Sequence, residues 1–280
     1  MKDRAYAKIN LALNVKSRRE DGYHELEMIM VPTSFYDELR LQVSRYDSYT
    51  CNRSYLAFNE KNTIVKAVEY MRKTYGIKDH FKIHLDKFIP TRAGLAGGSA
   101  DGASIIRMLN KRYNLNMDYE AKKRACLAIG ADVFFCLMNK PSVVKGIGEN
   151  LEPFSFKCDF YVLLVKPKEG VSTKEAFETL DLNKCGHPDV DKLKNALIDN
   201  DYDEAIKHMA NSLEASSFKI CPEIASTKVE LQELGFDHVL MSGSGSTLFA
   251  LTKNRNLLTK TLKMYRHRHF FAREVKLLGR

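Results

Sequence analysis

Hydrophobic and polar positions alternate along the first part of the chain, a pattern typical of β-strands. The alternation covers residues 5–15 (AYAKINLALNV) and 26–43 (LEMIMVPTSFYDELRLQV), with the turn-rich SRREDGYH at 17–24 between them. In residues 62–76 (NTIVKAVEYMRKTYG) the apolar positions instead recur at helical spacing between an Asn and a Gly, which predicts an amphipathic helix. FKIHLDKFIP, residues 81–90, then predicts a strand that ends at its proline.

Helical and strand-like patterns continue through the rest of the chain. A helix is expected after a glycine-rich segment near residue 100, and Asp118 predicts the start of another helix that ends at Gly130. The continuous apolar run DFYVLLVKP, residues 159–167, predicts a buried strand. The other predicted elements are strand and turn material in ADVFFCL (131–137) and SVVKGIGENLEPF (142–154), helices around 173–180, 189–199, 202–215 and 222–234, two strands around the glycine turn of HVLMSGSGSTLFALTK (238–253), a helix, and a terminal strand EVKLL (274–278).

These elements predict an α+β fold, and a length of 280 residues favours two domains, which we place at 1–153 and 154–280. Hydrophobic residues make up 44% and charged residues 28%, and no run approaches the roughly 18 consecutive apolar residues of a membrane span. The first residues alternate in polarity and lack the small-residue cleavage site of a signal peptide. We therefore expect a soluble, cytoplasmic protein.

The formal net charge of +9 admits nucleic acid or small anions as ligands, but the Lys and Arg residues are dispersed. Only residues 122–124 and 266–273 form dense basic clusters, and no RNP, KH or helix-turn-helix signature accompanies them. Solvated surface charge is the simpler interpretation, so we expect no nucleic-acid partner. Six cysteines without a CxxC pair argue against a zinc site or a disulfide framework, and they are expected to be reduced.

The segment PTRAGLAGGSADGAS, residues 90–104, has the composition of a phosphate-binding loop. Glycines at 94, 97 and 98 let successive backbone N–H groups turn toward one anion, and a helix beginning near Ser99 adds its unpaired N–H groups. A glycine-rich turn with Ser99 as an ordinary N-cap is the structural alternative. Neither GxxxxGK(S/T) nor GxGxxG fits, which disfavours P-loop NTPases and Rossmann dehydrogenases. A phosphate here would need Mg²⁺ and a lysine from elsewhere in the chain.

Six motifs occur in the order and approximate spacing of a known family, and the match spans nearly the whole chain. They are AKINLAL (7–13), DGYHEL (21–26), PTRAGLAGGSADGAS (90–104), GADVFF (130–135), GIGENLEP (146–153) and MSGSGSTLFAL (241–251). On these residues the chain resembles the GHMP small-molecule kinases. The glycine loop and the MSGSGS turn would fit any member, whereas AKINL, DGYHE and GADV followed by GxGE are typical of one subfamily.

The resemblance implies a two-domain kinase with its active site in the interdomain cleft. The implied reaction is ATP-dependent phosphorylation of the 2-hydroxyl of 4-diphosphocytidyl-2-C-methyl-D-erythritol in non-mevalonate isoprenoid biosynthesis, with Mg²⁺ required. Asp132 would be the catalytic base. Lys8 would pair with it and stabilise the alkoxide, and Asn10, two residues further along the same strand face, would contact the substrate. From local sequence alone, a turn or capping role is favoured for Asp132, and Lys8 could be a solvated strand residue.

The other implied contacts concern the nucleobases and phosphates. Tyr23 and His24 of DGYHE would stack on and hydrogen-bond the cytosine, although this segment also fits a solvent-exposed turn. Phe177 would cover the other face of the cytosine or serve as a helix core residue. Gly243 and Ser244 would approach the substrate from a second tight turn, which alternatively is a plain hairpin. The residues implied to bind ATP are Pro90, Thr91, Arg92, Ala93, Gly94, Leu95, Ala96, Gly97, Gly98, Ser99 and Ala100, with Asn62 and Lys66 near the adenine and either Ser99 or Asp101 near the metal.

Three residues depart from the usual family pattern: Arg92 and Ala96 in the loop, and Phe134 where proline commonly follows GADV. They keep two alternatives open, another GHMP kinase reaction or a kinase-like binding protein with reduced or no turnover.

Overall fold

The computed structural model describes residues 1–268 and 270–279, so His269 of the second basic cluster lies outside the described residues. The chain forms two compact units, each assembled from three segments. The first unit comprises Met1–Ala7, Phe35–Pro90 and Ala96–Asn139, and the second comprises Lys8–Ser34, Thr91–Leu95 and Lys140–Arg280. The units are defined by contacts and each contains several segments, so they do not test the single domain boundary between residues 153 and 154, which stays a prediction.

Two long strands open the chain, β1 (Lys2–Arg18) and β2 (His24–Ser44), and each contributes residues to both units. Their central residues are buried on both faces, which explains why the polar Lys8 and Asn10 stand out among apolar neighbours. Both strands extend beyond the alternating segments that predicted them.

The first unit combines helices with strands of one sheet. Its further elements are β3 (Ser48–Cys51), α1 (Thr63–Tyr75), β4 (His80–Asp86), α2 (Gly97–Arg112), α3 (Tyr119–Leu127) and α4 (Val133–Met138). The C-terminal part of β2 pairs antiparallel with β4, from Glu38 opposite Asp86 to Ser44 opposite His80, and β3 pairs parallel with β4. Helix α2 packs against both α1 and α4. The helix predicted at 62–76 is thus confirmed, with Asn62 as its N-cap and the left-handed Gly76 as its C-cap.

The second unit contains an antiparallel sheet in the order β10-β7-β9-β8, covered by helices. Its elements are β5 (Ser142–Gly146), β6 (Asn150–Pro153), β7 (Tyr161–Lys166), α5 (Thr173–Glu178), α6 (Val190–Ile198), α7 (Tyr202–His208), α8 (Glu214–Ile220), α9 (Pro222–Glu233), β8 (His238–Met241), β9 (Leu248–Thr252), α10 (Arg255–His267) and β10 (Phe271–Val275). The central strand β7 corresponds to the predicted apolar run, and four of its residues are fully buried. The N-terminal part of β2 pairs with β5, and β5 pairs with β6.

Two predicted elements were wrong. The segment ADVFFCL, predicted as strand and turn, forms helix α4, because its five apolar residues from Val133 to Leu137 are all buried and tertiary packing overrides their β-propensity. The single helix predicted over 202–215 is two helices. The chain leaves the helical path after His208 because Ala210 accepts a hydrogen bond from the Leu13 N–H of β1 at 3.0 Å, and Ser212 donates to the Leu13 carbonyl at 2.9 Å.

The described helices are all too short or too polar to cross a bilayer.

Candidate active site

Strand β1 carries two buried polar side chains on one face, as its alternation predicts. The Lys8 ammonium donates to Asn10 Oδ1 at 2.6 Å, and the two residues are 4% and 1% exposed, which rules out a solvated strand lysine. Asn10 is itself anchored, because its backbone N–H donates to Ser242 Oγ at 3.3 Å. The Lys8 N–H donates to the Leu95 carbonyl at 3.2 Å, which joins the strand to the glycine loop.

The glycine loop and the MSGSGS turn meet within the second unit. Gly94 has a left-handed φ of 71°, and a Cβ there would lie 1.9 Å from the Ser242 carbonyl oxygen. The Ser242 hydroxyl donates to the Gly94 carbonyl at 3.0 Å, and the Thr247 N–H donates to the Ala93 carbonyl at 3.3 Å. A Cβ on Gly243 would lie 3.5 Å from Asn10 Oδ1. Three predicted segments that are distant in sequence therefore converge.

The turn between β8 and β9 is more than a plain hairpin, because buried side chains hold its backbone. The Asn211 amide donates to the carbonyls of Met241 at 2.7 Å and Gly243 at 2.8 Å, and Ser217 Oγ donates to the Ser244 carbonyl at 3.0 Å. The Ser244 hydroxyl lies 2.8 Å from that of Thr173, the first residue of α5.

The rest of the glycine loop lies in the first unit, where it leads directly into α2. The helix begins at Gly97, two residues earlier than predicted, and its N-cap is Ala96 in the left-handed conformation with φ 54°. Ser99 is therefore inside the first turn, and the alternative of a Ser99 N-cap is wrong. The backbone N–H groups of the first turn have no intrahelical acceptors, which makes this end of the helix suited to an anion.

Two positions of this loop, Gly94 and Gly97, require glycine, and for different reasons. Of the three glycines expected to turn the loop toward an anion, Gly94 has a positive φ angle, whereas Gly97 and Gly98 do not. Gly97 is needed for space, since a Cβ would lie 2.7 Å from Ile89 Cγ2, whereas a Cβ on Gly98 would have only Thr63 Oγ1 nearby, at 3.8 Å. Arg92, with φ 49°, is exposed.

Asp132 takes the N-cap position of α4, but its carboxylate makes no capping hydrogen bond to the helix. It is half-buried, and its backbone carbonyl accepts from the Cys136 N–H at 3.1 Å. The neighbouring Phe134 is fully buried edge-on to Tyr119, with ring centroids 5.2 Å apart. Phe134 lies in the first turn of α4, where a proline would also be tolerated, so this departure does not imply a changed backbone. Asp132 belongs to the first unit and Lys8 to the second, and their pairing stays a prediction.

The DGYHE segment forms a structured turn in the second unit. Arg19 pairs with Asp21 and Glu25, and the Tyr23 N–H donates to Asp21 Oδ1 at 3.0 Å. Tyr23 is 62% exposed, so its ring is available for stacking.

His24 and Phe177 were predicted for one substrate, and the structure brings them together. Their rings stack with centroids 5.0 Å apart and planes 26° apart. Burial, with a smaller contribution from the Arg18 cation, lowers the pKa of His24 and favours the neutral imidazole. Phe177 is half-buried while Ala176 is the buried residue of α5, so Phe177 is not a plain helix core residue.

The sequence reading missed residues that fix the site's backbone, above all Asn211, Thr63 and Lys87. Thr63 donates to the Gly98 carbonyl at 2.6 Å, and Lys87 forms two buried ion pairs described below. Asn62, predicted near the adenine, uses its side chain to cap α1 and to donate to the Ala57 carbonyl. Lys66, predicted beside it, lies in the next turn of α1. A charged residue directly before an apolar run, such as Lys87 before Phe88 and Ile89, is the signal that could have drawn attention to the missed group.

Comparison with known proteins agrees with these features. Residues 62–140 match the family model for the GHMP kinases N-terminal domain, and residues 191–265 match that for the GHMP kinases C-terminal domain. A protein of Clostridium beijerinckii named 4-diphosphocytidyl-2-C-methyl-D-erythritol kinase is 39% identical over 90% of each chain.

Solved structures show the same fold. A crystal structure of 4-(cytidine 5'-diphospho)-2C-methyl-D-erythritol kinase superposes with a TM-score of 0.83 at 29% identity over 99% of both chains. Homoserine kinase from Cytophaga hutchinsonii, at 19% identity and a TM-score of 0.75 over 99% of this chain and 97% of that one, shares the fold.

Proposed function

The chain belongs to the GHMP kinase family, and on that premise we propose that it transfers the γ-phosphoryl group of ATP to the 2-hydroxyl of 4-diphosphocytidyl-2-C-methyl-D-erythritol. The products are ADP and the 2-phosphate, and the reaction belongs to non-mevalonate isoprenoid biosynthesis. The observation that carries the proposal is the convergence of the Lys8–Asn10 pair, the Gly94 segment and the Gly243 turn. The relatives named for this reaction favour it over other acceptors. A cytoplasmic location remains our expectation.

The proposed mechanism assigns the acceptor hydroxyl to Lys8 and Asp132. Asp132, half-buried at the start of α4, accepts the proton of the hydroxyl as it attacks. The Lys8 ammonium, oriented by Asn10, stabilises the alkoxide charge that develops. Catalysis by positioning and charge stabilisation is what phosphoryl transfer demands. The proposal requires these two side chains to reach the same hydroxyl.

The glycine loop would hold the ATP phosphates through the N–H groups at the start of α2. Mg²⁺ supplies charge neutralisation of the transferring phosphoryl group. No group of three or more His, Cys, Asp or Glu side chains suited to a metal occurs among residues 1–268 and 270–279. The Ser99 hydroxyl fits as a protein ligand, whereas Asp101 is buried against Lys87 and does not.

The cytidine would be recognised by the DGYHE turn and α5. Tyr23 offers an exposed ring and His24 a neutral imidazole beside Phe177. Because His24 and Phe177 already touch, a base cannot lie between them without their separation increasing. We therefore propose that the cytosine stacks between Tyr23 and Phe177, with His24 at its edge.

The test is to incubate the protein with Mg-ATP and the cytidylyl acceptor, with mevalonate and homoserine in parallel, and to identify products by mass spectrometry. Asp132→Asn should lower kcat about 10²–10⁴-fold while ATP still binds. Phosphorylation of mevalonate or homoserine in preference to the cytidylyl acceptor would replace the proposed substrate. Full activity of Asp132→Asn would remove Asp132 from its role.

A further inference from the structure

Lys87 is a cation enclosed by two carboxylates in the interior of the first unit. Its ammonium lies 2.6 Å from Asp37 Oδ2 and 2.5 Å from Asp101 Oδ2, and all three side chains are at most 4% exposed. Asp37 comes from β2, Lys87 follows β4, and Asp101 lies in α2. Burying charges costs free energy, and apolar side chains of similar volume often stabilise a protein as well as a buried ion pair does. A gain in stability therefore does not explain why these three charged side chains are buried together.

The ammonium lies directly beneath the glycine loop. A Cβ on Gly97, the first residue of α2, would lie only 3.0 Å from Lys87 Nζ. Asp37 fixes the segment that enters the loop, because its Oδ1 accepts from the backbone N–H groups of Phe88 at 2.6 Å and Ile89 at 2.8 Å. The cluster therefore joins the residues before the loop to the helix after it.

The loop has an electrostatic need that this cation meets. It contains no lysine of the kind that follows the glycines in a P-loop, and Asp101 places a carboxylate one turn into the helix that would bind the phosphates. Desolvation opposes the charge on Lys87, but the adjacent Asp101 and Asp37 outweigh it and raise the pKa of its ammonium. Lys87 is therefore positively charged at neutral pH, whereas burial raises the pKa of Asp101 to about 8 although the adjacent Lys87 lowers it.

We propose that Lys87 supplies the positive charge under the phosphate loop, and that the affinity for nucleotides depends on it through their phosphates. Because Lys87 is buried beneath the loop, it would act on a bound phosphate through the electric field at the helix start, without touching the nucleotide. The inference rests on the proposed use of this loop for ATP.

The size of the effect follows from distance. A phosphate oxygen that accepts from a first-turn N–H group lies about 3 Å from that nitrogen, and the backbone of the loop separates the nitrogen from the ammonium. The phosphate would therefore lie about 6–8 Å from the ammonium. At an effective dielectric constant of about 20, one unit charge at that range changes affinity on the order of 10- to 100-fold.

The experiment compares Asp101→Asn with the double variant Lys87→Met/Asp101→Asn, which differ only at residue 87. The shared Asp101→Asn background avoids leaving two carboxylates without a cation. Calorimetry measures the binding of ATP, ADP, AMP and adenosine to each folded full-length variant, with Mg²⁺ present. We expect removal of the ammonium to weaken ATP binding 10- to 100-fold, ADP and AMP less, and adenosine less than twofold.

A merely structural cluster would instead weaken adenosine and ATP by the same factor, and that result, or unchanged ATP binding, overturns the proposal. Asp101→Asn alone gives a second test that does not need the double variant to fold. Asn has the shape of Asp and carries no negative charge, so this substitution should leave ATP affinity equal to or above that of the parent, and a loss of more than about threefold contradicts the charge account. If nucleotides bind in the expected pattern but no acceptor is phosphorylated, the role of Lys87 stands and the proposed function falls.

Discussion

Replacing Gly94 by alanine tests whether the contact between the glycine loop and the MSGSGS turn is as close as the structure has it. Two costs are expected. The left-handed φ of 71° strains any residue with a Cβ, by about 1–2 kcal/mol. In addition, the new Cβ would lie 1.9 Å from the Ser242 carbonyl oxygen, where contacts under 3.0 Å are not tolerated, so the two backbones must separate.

Separation breaks two hydrogen bonds, from Ser242 Oγ to the Gly94 carbonyl and from the Thr247 N–H to the Ala93 carbonyl. At about 1 kcal/mol each, they bring the expected destabilisation to about 3–4 kcal/mol. Gly22→Ala is the matched control, because Gly22 has a similar φ of 86° with nothing within 4 Å of the added Cβ. It should cost only the backbone strain, about 1–2 kcal/mol.

The assay is urea denaturation of the parent and both variants, with the free energy of unfolding extrapolated to water. The two variants should differ by about 2 kcal/mol. Equal destabilisation would mean that the loop and the turn are not in contact at Gly94, and would refute the convergence on which the proposed site rests.

Two further predictions concern the second unit. Asn211→Ala leaves the Met241 and Gly243 carbonyls and the Leu213 N–H unpaired, so unfolding by urea should show a loss of about 2–4 kcal/mol. Asn211→Asp keeps the acceptor for Leu213 but cannot donate, and should also destabilise; a neutral effect of both variants would contradict the assigned bonds. Burial, aided by the Lys228 cation, lowers the pKa of His238 to about 4, so the folded state favours its neutral form. That contribution, about 3 kcal/mol, is fully present above about pH 6.5 and is lost as the pH falls toward 4. The loss of stability between pH 7.5 and 4.5 should therefore be smaller in His238→Phe, and an unchanged slope would speak against His238 as its source.

Much of the fold could be predicted from periodicity, and the exceptions have physical causes. The helix at residues 62–76 had both a polar N-cap and a C-terminal glycine, so local signals were sufficient. Helix α4 has the composition of a strand, and it is helical because its apolar residues are buried between neighbouring helices. The break after His208 depends on hydrogen bonds to β1, which lies almost 200 residues earlier. Such long-range pairing leaves no local pattern.

In the candidate site, too, local patterns could be predicted from the sequence and long-range contacts could not. Alternation in β1 was enough to put Lys8 and Asn10 on one face, and their side chains are in contact. The motifs also identified the two glycine turns. They did not show that Gly94 is required for its left-handed φ, or that Gly97 is required because a side chain would clash with Ile89. Asn211 and Lys87 were missed because their importance comes from backbone groups and charges brought to them by distant segments.

A crystal structure with a non-hydrolysable ATP analogue and the cytidylyl acceptor would test the central claim most directly. We predict Lys8 Nζ and an oxygen of Asp132 within about 3.2 Å of the same acceptor hydroxyl, with the analogue's phosphates on the N–H groups at the start of α2. An acceptor hydroxyl that contacts neither side chain, or phosphates bound away from that helix end, would contradict the account.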